Sequence, residues 1–287
     1  MSRVAYVNGC YVPHQSAGVH IEDRGYQFSD GIYEVCEVRN GAIIDVEGHL
    51  DRLARSAREM DMRLGLGREQ LEFVMGEIRA RNKVRNGLVY IQMTRGVAPR
   101  NHLFPSEETP PSVVLTARST PRALSEKTAN EGVAVITLQD DRWKRVDIKT
   151  VSLLPNVLAK QKAKEAGAYE AWFVDDDGKI TEGSSTNVWI VTKDDVLVTR
   201  DAGPGILKGI TREGVIKTAE HHKIKLEERR FSVEEAIAAK EAFITAATTV
   251  IVPVVKIDGA NVGDGKPGAL TKRVRAYFHD LTAKQTD

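Results

Sequence analysis

Apolar and polar residues alternate through "VAYVNGCYVP" (4–13), and the alternation breaks at Asn8-Gly9. That pattern predicts two short strands around a tight turn. A second Asn-Gly pair, at 40–41, divides "YEVCEVRNGAII" in the same way. Past residue 45 the period lengthens. In "DVEGHLDRLARSAREMDM", Leu50, Leu53, Ala54 and Ala57 share one helical face, while Arg52, Arg55 and Glu59 lie elsewhere. A second amphipathic helix is expected over 68–82. "GLVYIQMTRG" and "PPSVVLTARS" read as strands joined by a polar loop at 97–109.

"TPRALSEKTANEG" (120–132) is poor in apolar residues and has a proline near its start, which makes it the best connector. The expected organisation is a smaller N-terminal α/β domain over 1–120, a linker at 121–132, and a larger C-terminal domain over 133–287. In that second part, strands are expected at 133–138, "AWFVDDDGKITEG", "NVWIVTKDDVLVTR", 224–229, "EAFITAA" and "VIVPVVKIDG". Helices are expected at 156–166, from Thr211, at "SVEEAIAAK" and at 268–283. Strands and helices mix without a strict βαβ rhythm, so the fold class is α+β.

A chain of 287 residues allows one large or two modest domains. It is 41% hydrophobic and 28% charged, and 41 basic residues nearly balance 40 acidic ones, leaving a formal charge of +1. That balance offers no basic face for wrapping nucleic acid. Cys10 and Cys36 fit neither a zinc site nor a disulfide framework. With no apolar run long enough to span a bilayer and no secretion signal at the start, a reducing cytoplasm is the expected location.

Lys149 stands in a mainly apolar passage, "VDIKTVSLLPNVLAK". A lysine held in an apolar pocket loses its proton more readily, and the free amine forms Schiff bases with carbonyls. The plain alternative is a strand lysine whose head reaches solvent. In "ILKGITREGVIKTAEHH", Gly209 and Ile210 precede a helix expected to be capped by Thr211, and such a start suits a phosphate or is an ordinary cap. It is not a nucleotide P-loop. Glu182, where "DGKITEGSSTNV" turns, suits a protonated ring nitrogen or is a solvated turn carboxylate. Arg100 and His102 lie two apart in a loop, so in extended chain both point one way and can grip a carboxylate. No residue set completes a metal site. Together, lysine, helix start, carboxylate and clamp fit one cofactor, pyridoxal phosphate.

At this point the chain resembles the fold-type IV (class IV) pyridoxal-phosphate aminotransferases, and within them the D-amino-acid transaminases. The resemblance covers about residues 4–280. It rests on "EDRGYQFSDGIYEV", "GHLDRLARSA", "TRGVAPRNHLFP", "RWKRVDIKTVSLLPNVLAKQKAKEAG", "ITEGSSTNVWIV", "ILKGITR" and "FITAATTVIVPV", in order and at family spacing. It implies a two-domain architecture whose larger domain binds the cofactor, and amino transfer from a D-amino acid such as D-alanine to a 2-oxo acid such as 2-oxoglutarate. It implies that Lys149 carries the cofactor and moves the proton. Glu182 would meet the ring nitrogen, and Arg52, Ile210 and Thr211 would hold the phosphate. Tyr33, Arg100 and His102 would grip the substrate α-carboxylate. In the family the arginine and histidine come from the neighbouring subunit, which implies a homodimer. Arg142 and His49 match near-site residues without an assigned role.

The sequence departs from the pattern at the second phosphate element. Ala247 stands where relatives carry threonine, so a hydroxyl bond is lost or is supplied by Thr248. Val250 stands where relatives often carry glutamate. The alternatives within the fold are a branched-chain L-aminotransferase, an (R)-amine transaminase and a 4-amino-4-deoxychorismate lyase. A non-enzymatic binding protein would be expected to lose the lysine or the glutamate, and both are present.

Overall fold

The structure is a computed structural model that describes residues 3–283 and 285, the side chains of 122–125 excepted. The chain divides into two compact units. The first holds the residues through Pro121, the short stretch Ile148–Ser152 and Gln285, and the second holds Arg122–Asp147 and the described residues 153–283.

In the first unit, β1 (Val4–Val7) and β2 (Cys10–Pro13) form the expected hairpin. Asn8 and Gly9 both adopt positive φ (46° and 94°), the geometry that selects Asn-Gly in two-residue turns. Helix α1 (Arg24–Phe28) precedes β3 (Gly31–Arg39), which folds back through Asn40-Gly41 onto β4 (Ala42–Ile43). Helices α2 (Val46–Glu59) and α3 (Arg68–Arg81) follow, then β5 (Gly87–Thr94) and β6 (Ser112–Ser119). The sheet order is β2-β1-β6-β5-β3-β4, antiparallel throughout.

Alternation gives the sheet two different faces. Ile32, Cys36 and Val38 of β3, Val89, Ile91 and Met93 of β5, and Leu115 and Ala117 of β6 form one core. Leu50, Leu53 and Ala57 of α2 and Leu71, Met75 and Ile78 of α3 cover it. Tyr33, Tyr90 and Gln92 alternate with those positions. Their rings and groups meet on the other face, where Tyr33 and Tyr90 lie 5.8 Å apart and the Tyr90 hydroxyl donates to Gln92 at 2.7 Å.

The second unit opens with α4 (Arg122–Glu131), so the stretch expected as a linker is largely helical. It packs on the sheet through positions such as buried Ala129, and a helix touching the sheet along one side needs few apolar residues. Next come β7 (Val133–Gln139), α5 (Leu154–Glu165), β8 (Glu170–Val174), β9 (Ile180–Gly183), β10 (Asn187–Val191) and β11 (Leu197–Thr199). The remainder is α6 (Ile210–His221), β12 (Leu226–Glu228), α7 (Val233–Ala238), β13 (Glu241–Ala246), β14 (Val250–Ile257), β15 (Ala260–Asn261) and α8 (Ala269–Ala283). The sheet runs β12-β11-β10-β13-β14-β7-β8-β9, with β15 beside β14, and mixes parallel and antiparallel pairs. Trp189 and Phe243 stack at 5.4 Å and, with Val215, Val274 and Phe278, join one sheet face to α6 and α8. Val188, Ile190, Ile244 and Val252 fill the other face with Phe231 and Ala236. The α+β expectation holds. No helix among the described residues is long and apolar enough to cross a membrane.

Candidate active site

Lys149 lies on Ile148–Ser152, which runs antiparallel beside the start of β3. The Tyr33 N–H donates to the Lys149 carbonyl at 3.0 Å, and the Val151 N–H donates to the Gly31 carbonyl at 3.0 Å. On the other side, the Lys149 N–H donates to Ser56 Oγ of α2 at 3.2 Å. The backbone is therefore held from both sides. Its Nζ lies 4.1 Å from the Tyr33 ring centroid, and the residue is half-buried.

Tyr33 and its neighbour Glu34 point to opposite faces of β3. Glu34 is fully buried, and the sequence motifs do not single it out. Arg52, expected as a phosphate ligand, meets it with two parallel bonds, Nε to Oε1 at 2.7 Å and Nη2 to Oε2 at 2.8 Å. His49 Nδ1 lies 2.7 Å from the same Oε2. Burial pushes the Glu34 carboxyl up, but Arg52 and His49 outweigh it and hold the group at about 2. Glu34 stays ionised, so His49 Nδ1 is the donor. A signal for Glu34 is present in the chain: it interrupts the apolar series Ile32, Cys36, Val38 with a charge.

Arg100 and His102 are exposed and converge on one ring. The Arg100 guanidinium lies 4.6 Å from the Phe28 centroid, and the His102 ring lies 5.4 Å from it. Buried Arg24 braces their loop by donating Nη1 to the carbonyls of Asn101 (2.6 Å) and Leu103 (3.2 Å). Asp30 in turn accepts from Arg24 and Arg95, each at 2.8 Å.

In the second unit, Glu182 lies next to the end of β9 and is buried. Its Oε1 takes Arg142 Nη1 at 2.5 Å, and its Oε2 takes Asn187 Nδ2 at 3.1 Å and the Leu207 N–H at 3.0 Å. Arg142 also donates Nε and Nη2 to Asp140 at 2.8 and 2.7 Å and lies over the Phe173 ring at 4.4 Å. Burial pushes the Glu182 carboxyl up, against the pull of Arg142 and the Leu207 N–H. Burial also acts on the Arg142 guanidinium, but Asp140 and Glu182 outweigh it and hold it firmly charged. The near-site arginine thus acquires a concrete contact, on the carboxylate expected to face the ring. Behind the turn that follows, buried Glu170 accepts from Ser184 and from Ser185, the latter at 2.8 Å.

Helix α6 starts one residue earlier than expected. Its N-cap is Gly209, so Ile210 and Thr211 are its first two residues and Thr211 is not the cap. A Cβ at position 209 would collide with Asn187 Oδ1, so a larger residue there would displace the Asn187 side chain. Asn187 pairs with Thr245 of β13, which places the Ala247–Thr249 turn at the same end of the sheet. In that turn Ala247 is half-buried and Thr248, the residue expected to replace the missing hydroxyl, is exposed. Thr249 Oγ1 is buried without a hydrogen-bond partner, and Val250 is held at φ +60°. A buried orphan hydroxyl and a helix start with unsatisfied N–H groups fit a phosphate. Among the described residues no cluster of metal-ligating side chains occurs.

Three comparisons bear on this geometry. The family model described as amino-transferase class IV matches residues 31–257. The D-alanine aminotransferase of Bacillus licheniformis is 40% identical over 279 residues, 97% of each chain. That of Staphylococcus haemolyticus is 40% identical over 275 residues, 96% of each. Among solved structures, the Escherichia coli branched-chain amino acid aminotransferase superposes with a TM-score of 0.91 at 22% identity, covering 100% of this chain and 97% of its own. A hypothetical aminotransferase from Mycobacterium tuberculosis, in its PLP-bound form, gives 0.84 at 22% identity, covering 98% and 99%.

Proposed function

The chain belongs to the class IV aminotransferases, and from that premise we propose the roles of its site residues. The protein is a pyridoxal-phosphate-dependent D-amino-acid transaminase that moves an amino group from a D-amino acid to a 2-oxo acid. The observation that carries the assignment of its centre is the setting of Lys149, locked by Tyr33 and Ser56 with its amine against the Tyr33 ring.

Pyridoxal phosphate, when bound, supplies an aldehyde that captures amines and a ring that accepts electrons. Lys149 Nζ anchors it and carries the proton taken from the substrate Cα. One amine serves as base and acid, because placement decides that role before acidity does. Glu182, kept in place by Arg142, Asn187 and Leu207, holds the proton on the ring nitrogen. Ile210 and Thr211 offer backbone N–H groups to the phosphate, and Arg52 adds a charge. Thr249, rather than Thr248, supplies the hydroxyl absent at Ala247.

Tyr33, Arg100 and His102 hold the substrate α-carboxylate, with Arg100 and His102 given by a second copy in a homodimer. Their exposure beside Leu103 (75%) and Phe104 (61%) supports this, as does the apolar stripe Leu154, Val157, Leu158 at i, i+3, i+4 along α5. The smaller N-terminal part and the larger cofactor-binding part are its two domains, and it works in the cytoplasm with Cys10 and Cys36 as free thiols.

The test is a substrate panel of D-alanine, L-valine, (R)-1-phenylethylamine and aminodeoxychorismate, with 2-oxoglutarate as acceptor. D-Alanine is expected to give the highest kcat/KM. A preference for any of the other three overturns the substrate assignment.

A further inference from the structure

Glu34 is a charge placed where the fold has no use for one. It occupies a core position of β3 between Ile32 and Cys36, fully shielded from water. A buried ion pair rarely stabilises a fold more than apolar side chains of the same size would. Its geometry is nevertheless complete. Both carboxylate oxygens meet one edge of the Arg52 guanidinium, and the imidazole of His49 closes on Oε2. A two-point carboxylate–guanidinium contact fixes the plane of the arginine as well as its position. Arg52 and His49 lie three apart on α2, on the side of the helix that meets β3, so a single carboxylate reaches both.

We propose that Glu34 is the positioning residue of the phosphate site: it sets the plane and reach of Arg52 and the tautomer of His49. This rests on the reading of Arg52 as a phosphate ligand. One strand then serves the site on both faces, with Tyr33 against the lysine and Glu34 against the arginine. Glu34 cancels the charge of Arg52, so if attraction alone mattered, neutralising Glu34 would tighten phosphate binding. If orientation matters, neutralising it weakens binding.

The experiment titrates the full chain, freed of cofactor, with pyridoxal phosphate and separately with pyridoxal, following absorbance. The ratio of the two dissociation constants isolates the phosphate contribution. Glu34→Gln is expected to lower that preference for the phosphorylated form about tenfold or more. Glu34→Asp keeps the buried charge and so folds even if Glu34→Gln does not. Being one methylene shorter, it cannot span Arg52 and His49 together, and an intermediate loss is expected. Arg52→Lys separates the two readings. If it lowers the preference while both Glu34 variants keep or raise it, the positioning role falls and the phosphate role of Arg52 stands. If Arg52→Lys leaves the preference unchanged, both fall. A purely structural Glu34 would lower the unfolding temperature of its variants without moving the ratio, and that outcome also overturns the proposal.

Discussion

Replacing Arg142 with methionine keeps the bulk of the side chain and removes its charge from two carboxylates at once. The guanidinium is 4% exposed, and its partners Asp140 and Glu182 are 12% and 8% exposed, so little solvent screening softens the loss. Removing one partner of a buried ion pair costs about 3–5 kcal/mol. Glu182 retains the Asn187 and Leu207 donors, and Asp140 retains the Thr181 hydroxyl, which favours the lower end, about 3 kcal/mol. For chains of this size that corresponds to a fall of roughly 6–12 °C in Tm. The pH dependence follows from the carboxylates. Burial pushes Asp140 up, but Arg142 and Thr181 outweigh it and hold the group below its ordinary value. That contribution is present above the unfolded pKa and is lost as pH falls through the folded one. Glu182 is already pushed up by burial, and without Arg142 it rises further. A carboxyl whose folded pKa lies above its unfolded value takes up a proton on folding, so stability falls as pH rises through that interval. Both effects make the gap between wild type and variant widest near neutral pH and narrower toward the ordinary carboxylate range, about pH 4. Urea and thermal unfolding of both proteins, freed of cofactor and compared at about pH 8 and about pH 5, measures the gap. A gap that stays flat or widens on acidification refutes the reasoning.

Lys149→Ala is expected to abolish the visible absorbance of the bound cofactor and all measurable transamination, and an unchanged spectrum would remove Lys149 from the centre. Arg100→Ala is expected to raise KM for D-alanine with a much smaller change in kcat, as steady-state kinetics will show, because the proposed clamp would bind the carboxylate in ground and transition states alike. Thr249→Val carries two opposite signs. It removes a buried unpartnered hydroxyl, so the cofactor-free protein gains about 1 kcal/mol on urea unfolding, while the pyridoxal phosphate dissociation constant rises about fivefold or more. Thr248→Val, at an exposed position, is expected to change neither.

Local features are legible in the chain. The two Asn-Gly turns, the helical spacing of α2 and the strands of β5 and β6 follow from nearest-neighbour pattern, and the structure has them where expected. The partners of the site residues are not legible, because they lie far away in sequence. Lys149 meets Ser56 across 93 positions, Arg142 meets Glu182 across 40, and the Leu207 N–H meets Glu182 across 25. No periodicity registers such contacts. The cap of α6 lies two residues before Thr211, the position expected because Thr is a preferred cap. Here the cap is Gly209, where a Cβ would meet the Asn187 side chain. At 121–132 composition is the only sequence signal, and composition does not distinguish a connector from a helix that needs only one buried side.

The five residues Ile148–Ser152 have a consequence for how the protein can be divided. The chain leaves the first unit after Pro121, returns for these five residues, leaves again and is back in it at Gln285. Such repeated crossing means that no single cut yields two self-sufficient pieces. A fragment ending at Pro121 would bare the Gly31 carbonyl and the Tyr33 amide along the first half of β3, an open strand edge that invites pairing with other copies. A fragment starting at Arg122 would carry Lys149 in its sequence but none of the strand that holds it straight. Lys149 thus belongs to the first unit although the sequence on either side of its five-residue stretch belongs to the second. Domain exchange between relatives would have to respect a boundary drawn in space, not in residue number.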